Sequence, residues 1–474
     1  MTDGYLDTGD ARLARAGYAL RLRTHDSTCE ATLKGLQQSH AGAANRREIS
    51  QPFHPRGEDG PQAGRGPVVD RVRAVIGHEP LQMLFVARTH RDVYRVLEGD
   101  VEAAEIDLDA TEIRGSGPRP PRRLQRVEVE LRNAKRHSLE PLVRQLRERA
   151  ALEPVAASKY EVGMNAAGRS LPAPPEPGTL AILPTEAAVV AGRMLLRRQL
   201  DAWRHLEPSV RLAEDPEALH RLRVTGRRLI AVLRLLEATP VDEARGLRKH
   251  MQDLLRRTSA VRDLDVRIAE FGAANRIPRN QSLQSLVDEL VRQRARQQVN
   301  LLRVLDSART ARLFAALDRL CAHRSQVHSR RTVAQVAGQL IRRRYRKLRK
   351  VAAHVIRNPD AHRCHAMRLE TKNLRYLAEM LGSTYGTPMR RFVRRLQKLQ
   401  SVLGRINDAH QALGFLELPA QRRCRSLSPQ VAIAMTHLRR RHSRHLTLYL
   451  GQLPEVWSRA SGKRWQRLRK SLYI

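Results

Sequence analysis

Two segments decide the fold: LHRLRVTGRRLIAVLRLLE, residues 219–237, and CHAMRLETKNLRYLAEML, residues 364–381. In both, apolar residues return at three- and four-residue steps, the period of an amphipathic helix. They align without a gap at an offset of 145 residues: His220 meets His365, Arg223 meets Arg368, Arg227 meets Lys372 and Leu229 meets Leu374. Further along, Gln252, Leu254 and Asp263 meet Gln397, Leu399 and Asp408 at the same offset. Basic matches come easily in an Arg-rich chain, but two His and two Asp in register mark an internal duplication.

On a helix turning about 100° per residue, positions i, i+3 and i+7 share a sector of roughly 60°. His220, Arg223 and Arg227 therefore form one cationic stripe, with Leu222, Leu229, Leu233 and Leu236 on the opposite side. In the second copy His365, Arg368, Lys372 and Arg375 make the stripe, backed by Met367, Leu374, Ala378 and Leu381. Two such helices related by an approximate two-fold line one groove with both stripes. Like charges about 4 Å apart cost on the order of 4 kcal/mol at an effective dielectric near 20, so an empty groove repels itself and a polyanion relieves it. Asp263 and Asp408 either cap helices, the commoner use of Asp, or neutralise part of the stripe.

The charge of the whole chain agrees. Of 474 residues, 87 are Lys or Arg and 48 Asp or Glu, a formal net charge of +39. Residues 1–165 hold 26 basic against 24 acidic side chains, or +2, and the remainder 61 against 24, or +37. The anion site is expected in the C-terminal part. Arg outnumbers Lys, which favours bidentate grip on oxyanions. Aromatic residues are only 4%, which counts against the stacking platforms of single-strand nucleic-acid readers, and no groove-reading motif is recognisable. Cys29, Cys321, Cys364 and Cys424 lie too far apart in sequence to suggest a zinc site or a disulfide framework. With no signal peptide and no run of 18 apolar residues, the expectation is a cytoplasmic protein with no membrane partner.

Tyr18 to Lys34, Phe85 to Val96 and Val127 to Leu131 alternate apolar and polar residues and read as strands, with a Gly- and Pro-rich loop at about 51–67 and helical spacing from Ser138 to Leu152. A Pro-, Ala- and Gly-rich linker at 166–184 separates this from a helical half, 185–474, made of repeats at about 185–330 and 331–474 and broken at Pro208, Pro216, Pro240, Pro278 and Pro359. The fold class expected is α+β multidomain: an antiparallel β tunnel or barrel, then an all-α bundle with a pseudo-two-fold axis.

The two opening segments, with AVRDLDV (260–266) and LQKLQSVLGRINDA (396–409), resemble the two halves of a CHAD domain, over about 185–474. That resemblance implies a pseudo-symmetric helical fold associated with inorganic polyphosphate and its granules. It makes His220, Arg223, Arg227, Arg228, His365, Arg368, Lys372, Arg375 and Tyr376 candidate ligands. This sequence departs from even symmetry at Asn373, opposite Arg228, and at Ile230, opposite Arg375. The cluster RRRYRKLRK, Arg342 to Lys350, reads as a flank of the same basic surface or as a nucleic-acid patch.

YLDTGDARLARAGYALRLRTHDSTCEATLKG (5–35), ARTHR (87–91), EIDLD (105–109), VEVEL (127–131) and SKYEVG (158–163) are similar to the CYTH family of triphosphate tunnel proteins, over about 1–165. Arg21, Arg23, Lys34, Arg88, Arg91 and Lys159 are then the triphosphate candidates. Alternation along one strand points Arg21 and Arg23 the same way, and Glu128 with Glu130 is spaced to hold a divalent metal, Mg or Mn if the domain is active. Family members begin with a strand carrying Glu-x-Glu-x-Lys; the motif is missing here, so the expectation is a domain lacking its first strand, with an open edge and impaired chemistry. A decayed domain and a late assigned start codon both account for that. The leading functional expectation is polyphosphate binding by the helical half, with no cofactor needed and attachment to granules as its cellular form. The alternatives are a metal-dependent inorganic triphosphatase assisted by the helical half, and nucleic-acid binding.

Overall fold

The structure is a computed structural model; it describes all residues except 26–27, 37–47, 54–63, 133–135, 156, 171–179, 276–282, 323–330, 423–428 and 473–474. These residues form two compact units, 1–174 with 204–215 and 175–203 with 216–474.

The first unit is built on one antiparallel sheet in the order β4-β3-β2-β1-β5-β6-β7. Its strands are β1 (Thr2–Thr8), β2 (Tyr18–His25), β3 (Thr28–Gly35), β4 (Glu48–Pro52), β5 (Leu81–Glu98), β6 (Val101–Gly115) and β7 (Arg122–Leu131), with helices α1 (Arg12–Arg15), α2 (Pro67–Ile76), α3 (Arg136–Arg149) and α4 (Lys159–Ala166). No strand is expected from the sequence before Tyr18, yet β1, which carries no Glu-x-Glu-x-Lys, is one. β1 is hydrogen-bonded to β2 on one side and β5 on the other, so it is central and leaves no gap there. It escaped notice because TDGYLDT carries Asp where an alternating pattern expects apolar residues. Its Asp7 accepts from the backbone N–H groups of Thr8, Leu13 and Ala14, which turns the chain into α1. Among the described residues β4 and β7 do not pair, so the sheet is open rather than a closed tunnel.

The two faces of the sheet differ. One carries Leu20, Ala31 and Leu33 against Leu13 of α1 and Val68, Val72, Val75 and Ile76 of α2. On the other, Tyr5, Phe85 and Ala87 pack against Tyr160 and Met164 of α4, and beyond this apolar plug the face turns ionic. Ser158 begins α4 with a capping box: its side chain accepts from Glu161 N–H, and the Glu161 side chain accepts from Ser158 N–H. Gly163 is required in α4, because a Cβ there would lie 2.1 Å from the Phe85 ring.

The second unit is helical. Its helices are α5 (Ala188–Leu212), whose residues from Arg204 onward are counted with the first unit, α6 (Pro216–Leu236), α7 (Ala244–Arg257), α8 (Ser259–Asn275), α9 (Gln284–Leu305), α10 (Ala308–Ala322), α11 (Val333–Arg357), α12 (Ala361–Met380), α13 (Gly386–Arg422), α14 (Pro429–Ser461) and α15 (Lys463–Ser471). The 145-residue repeat sets where helices start: 188 and 333, 216 and 361, 284 and 429. The halves meet symmetrically at an isolated antiparallel bridge between the repeat partners Ala187 and Thr332. Ala188 N–H donates to Arg331 O at 3.0 Å and Val333 N–H to Glu186 O at 2.8 Å, two hydrogen bonds that a two-fold operation exchanges. A second symmetric element is the core where Leu264, Phe271 and Leu290 of α8 and α9 meet Leu416, Ala434 and Leu438 of α13 and α14.

Several sequence readings change. Pro208 does not break a helix but lies inside α5. Pro216 opens α6, where a missing N–H is harmless, while Pro240 and Pro359 fall between helices as expected and Pro278 lies outside the described residues. Asp263 and Asp408 cap nothing: each is inside its helix, α8 and α13. Among the described residues no helix is long and apolar enough to cross a membrane, and no disulfide joins Cys29, Cys321 and Cys364, Cys424 lying outside them.

Candidate functional site

In the helical unit the duplicated helices α6 and α12 pack on each other with their apolar sides inward: Leu222, Leu229, Leu233 and Leu236, and likewise Met367, Leu374, Ala378 and Leu381, are fully buried. The stripes behind them converge across the repeat. Lys372 feels the charges of Arg227 and Arg223 from α6 and of Arg368 from its own helix, and His220 feels Lys372. Lys372 is only 9% exposed. Burial first, then Arg227 and Arg368, push its ammonium down to about 6, against the pull of Asp408. Burial also lowers Arg223, to about 10, and Arg368. His220 is lowered by burial and by Arg262. Asp263 faces Arg223 and Arg368, and Asp408 faces Arg368 and Lys372. Two carboxylates thus answer a larger group of cations.

The candidate ligands are not equivalent. Arg223 is half committed: Nη1 donates to Leu255 O at 2.7 Å and to Thr258 Oγ1 at 2.6 Å, closing the C-terminal turn of α7. Gly226 makes that reach short, because a Cβ there would stand 2.6 Å from Leu255 Cδ2. Arg368 keeps a buried Nε without a hydrogen-bond partner. Arg375 donates to Gln400 Oε1 at 2.7 Å and to Glu379, and lies 4.3 Å over the ring of Tyr376. Tyr376, 3% exposed, forms the floor beside Arg223 and Arg368 rather than an open ligand. Arg228 is half-buried and about 100° round the helix from Arg227, off the stripe. His365 is exposed, with Nδ1 2.9 Å from Asn407 Oδ1. The departure at Asn373 has a structural use: its Oδ1 accepts from Arg234 Nη1 at 3.1 Å, tying the repeats together.

The cluster Arg342 to Lys350 lies on α11. Its Arg344 and Lys347 reach Glu370, at 3.6 and 2.7 Å, which is about 140° round α12 from His365. The cluster thus meets α12 away from the stripe. Thr258, Gly226, Arg262 and Asn407 were not singled out in the sequence; their partners come from other helices, and only the offset from Asp263 and Asp408 hinted at the last two.

In the sheet unit, residues directly opposite each other share a face, so the register brings the expected triphosphate residues together. Arg23 is bidentate on Asp3 at 2.7 and 2.9 Å. Arg21 lies 3.9 Å from Asp3 and 3.7 Å from Glu48, and Lys34 3.2 Å from Glu48. Arg91 is bidentate on Asp109, at 2.7 Å for both bonds, and also pairs with Asp107; Lys159 pairs with Asp109 and lies 3.3 Å from Glu128. Burial opposes the ionisation of Asp3 and Asp109, but Arg23 in one case and Arg91 with Lys159 in the other hold both below the usual carboxylate range. Arg88 is the exception: it is exposed, an odd number of residues from Arg91, and so on the opposite face of β5.

Glu128 and Glu130 gain a third member. Oxygens of Asp107, Glu128 and Glu130 lie within 4.8 Å of one another. The ladder sets Asp107 opposite Glu128 and Glu105 opposite Glu130, two like-charge pairs in a row, an arrangement that destabilises a sheet unless something offsets it. Asp107 is fully buried, and burial together with Glu105, Glu130 and Asp109 pushes its carboxyl up to about 6 despite Arg91. These oxygen donors fit a hard divalent cation.

A sheet domain joined to a duplicated basic helical domain defines the class, and comparison with known families makes it specific. Residues 1–163 match the CYTH domain and residues 194–417 the CHAD domain, so the chain carries a CYTH domain followed by a CHAD domain. The CYTH match begins at residue 1, which gives the expectation of a truncated domain no support, although no Glu-x-Glu-x-Lys motif occurs in the sequence. An uncharacterized protein of Mycobacterium tuberculosis (strain CDC 1551 / Oshkosh) is 27% identical over 419 residues, covering 80% of this chain and 75% of its own length, and so is an uncharacterized protein of strain ATCC 25618 / H37Rv. Among solved structures, the crystal structure of the CHAD domain from the plant Ricinus communis is 26% identical with a TM-score of 0.46, covering 64% of this chain and 97% of that one. PptA from Streptomyces chartreusis is 20% identical with a TM-score of 0.45, covering 57% and 98%.

Proposed function

We propose that the helical domain binds linear inorganic polyphosphate along the facing stripes of α6 and α12, and that this attaches the protein to polyphosphate granules in the cytoplasm. The observation that carries the reading is Lys372, a nearly buried cation pressed by Arg223, Arg227 and Arg368 with too few carboxylates to answer them. A chain with one negative charge per phosphate supplies what is missing, and guanidinium groups suit its oxyanions. His220 and His365 add donors once protonated. The test uses the full chain and a labelled long-chain polyphosphate, with duplex DNA at equal charge concentration as competitor. DNA is expected to displace it poorly, and His220→Ala with His365→Ala to weaken binding more than Arg440→Ala with Arg444→Ala, two exposed positions on α14. Equal displacement by DNA, or equal loss from the two pairs, sinks the groove and leaves a generic basic surface. Salt dependence is no discriminator, since any polyanion shows it.

A second reading is favoured by the Asp107, Glu128 and Glu130 cluster: the ionic face of the sheet binds triphosphate together with a divalent cation, Mg or Mn. When bound, the cation would offset negative charge on phosphate oxygens as a Lewis acid. Arg21, Arg23, Lys34, Arg91 and Lys159 would hold the phosphates. Each already faces a carboxylate, so a ligand must compete for them, and the cation would loosen Arg91 and Lys159 by taking over Asp107 and Glu128, leaving Asp109 as their shared partner. Release of inorganic phosphate from triphosphate, dependent on added Mn and lost in Glu128→Gln, tests this; no release at any metal concentration leaves binding alone.

A further inference from the structure

The two repeat-related histidines are held differently. Nδ1 of His365 lies 2.9 Å from Oδ1 of Asn407, and Nδ2 of the same amide donates to Asp408 Oδ1 at 3.3 Å. Asn407 is buried, 6% exposed. The carboxylate decides how the amide is turned: its nitrogen faces Asp408, so its oxygen faces the imidazole. An amide oxygen only accepts, so the proton of a neutral His365 is on Nδ1. What is left on Nε2 is a lone pair, which repels a phosphate oxygen. The exposed ring engages an anion through Nε2 only after gaining a second proton there.

The first repeat has no such device. The residue 145 before Asn407 is Arg262, which cannot accept a hydrogen bond. It donates to Glu217 Oε1 at 3.0 Å, and its charge opposes protonation of His220.

We propose that Asp408, Asn407 and His365 form a relay through which binding of a phosphate chain takes up one proton at His365 Nε2, with Asn407 as the positioning residue. This rests on the reading of the groove as a polyphosphate site. The proton comes from solvent, and no covalent bond changes. The helices packed on α12 are α6, α11 and α13. The charges beside the relay are Asp408 on α13, which Asn407 reaches, and, on the helix of His365, Arg368 and Lys372, both of which feel Asp408 and Arg227 of α6, while Asp263 of α8 also acts on Arg368. Arg344 and Lys347 of α11 are turned to Glu370 on the far side.

The first arm needs no ligand. In full-length protein labelled with ¹⁵N-histidine, with His365→Gln for assignment, the neutral His365 ring at pH 8 is expected to be protonated at Nδ1 and bare at Nε2. Asn407→Ala should shift it to the Nε2–H form, and Asn407→Asp, which still accepts, should keep Nδ1–H. A wild-type ring protonated at Nε2 overturns the relay. The second arm titrates sodium polyphosphate calorimetrically in two buffers of different ionisation heat. Asn407→Ala is expected to take up one proton fewer and to bind about tenfold more weakly, with both restored by Asn407→Asp. Unchanged proton uptake in Asn407→Ala overturns the proposal. Absence of polyphosphate binding in the wild type overturns the groove reading and the coupled uptake together, whereas the tautomer is measured independently of it.

Discussion

Lys372→Met is expected to strengthen the ligand-free fold while weakening its grip on polyphosphate. The Lys372 ammonium is 9% exposed, and burial with Arg227 and Arg368 lowers its pKa from 10.5 to about 6. Between those two values the unfolded chain holds a proton that the folded chain lacks, so stability rises with pH across that window. The penalty is complete below pH 6 and gone above 10.5. At about 1.4 kcal/mol per pH unit it amounts to about 6 kcal/mol at most, and water in an open groove brings it to about 3. Met fills the same space without the charge. In urea unfolding, Lys372→Met should therefore exceed the wild type by about 3 to 6 kcal/mol at pH 6, with the gap shrinking steadily towards pH 10. Added polyphosphate should stabilise the wild type more than the variant, because only bound ligand gains from the cation. A gap that does not change with pH, or a variant less stable than the wild type at pH 6, refutes the buried-cation account.

Arg223→Ala and Arg368→Ala should weaken polyphosphate binding alike but part company in thermal melts: losing two bonds at the end of α7 costs about 2 kcal/mol, while Arg368, whose Nε is unpartnered, costs under about 1. Gly226→Val should lower stability by about 1 to 3 kcal/mol through overpacking against Leu255, read as a fall in melting temperature with some loss of binding, since Leu255 O anchors Arg223. Asp107→Asn should stabilise the metal-free protein; because the folded carboxyl sits near 6 against a usual 3.8, the advantage is complete above pH 6 and lost as pH falls towards 3.8. The same variant should lose any rise in melting temperature caused by Mn.

Much of the helical domain was legible because duplication leaves a numerical trace. An offset found from two histidines and two aspartates also places the starts of α5 and α11, of α6 and α12, and of α9 and α14. The apolar backs of α6 and α12 were readable for the same reason that they are buried: helical period maps directly to a face. Pro208 misled, because a proline inside a 25-residue helix removes a single rung that its neighbours can spare. Asp263 misled because α8 begins at Ser259, so the motif VRDLDV lies past the cap position. In the sheet, β6 is long and half ionic; its EIDLD stretch alternates, but Asp107 and Asp109 are buried and Leu108 is exposed, the reverse of the faces that the pattern assigns. Asp107 became visible as a partner of Glu128 only through register, which no single strand encodes. The Asn407 contact is likewise tertiary, joining α12 to α13 across 42 residues.

The bridge at Ala187 and Thr332, with its two exchangeable hydrogen bonds, bears on which polymers can fit at all. A surface with an approximate two-fold reads much the same from either end, so a chain threaded through it forwards or backwards makes nearly the same contacts. Polyphosphate has no head or tail along its interior and loses nothing in such a seat. A nucleic acid strand has a 5′ and a 3′ sense and would have to satisfy matching half-sites in opposite directions. Palindromic architecture would thus favour a ligand without direction, and one of the breaks in the palindrome, Asn407 against Arg262, is a place where orientation of a chain end could be told apart.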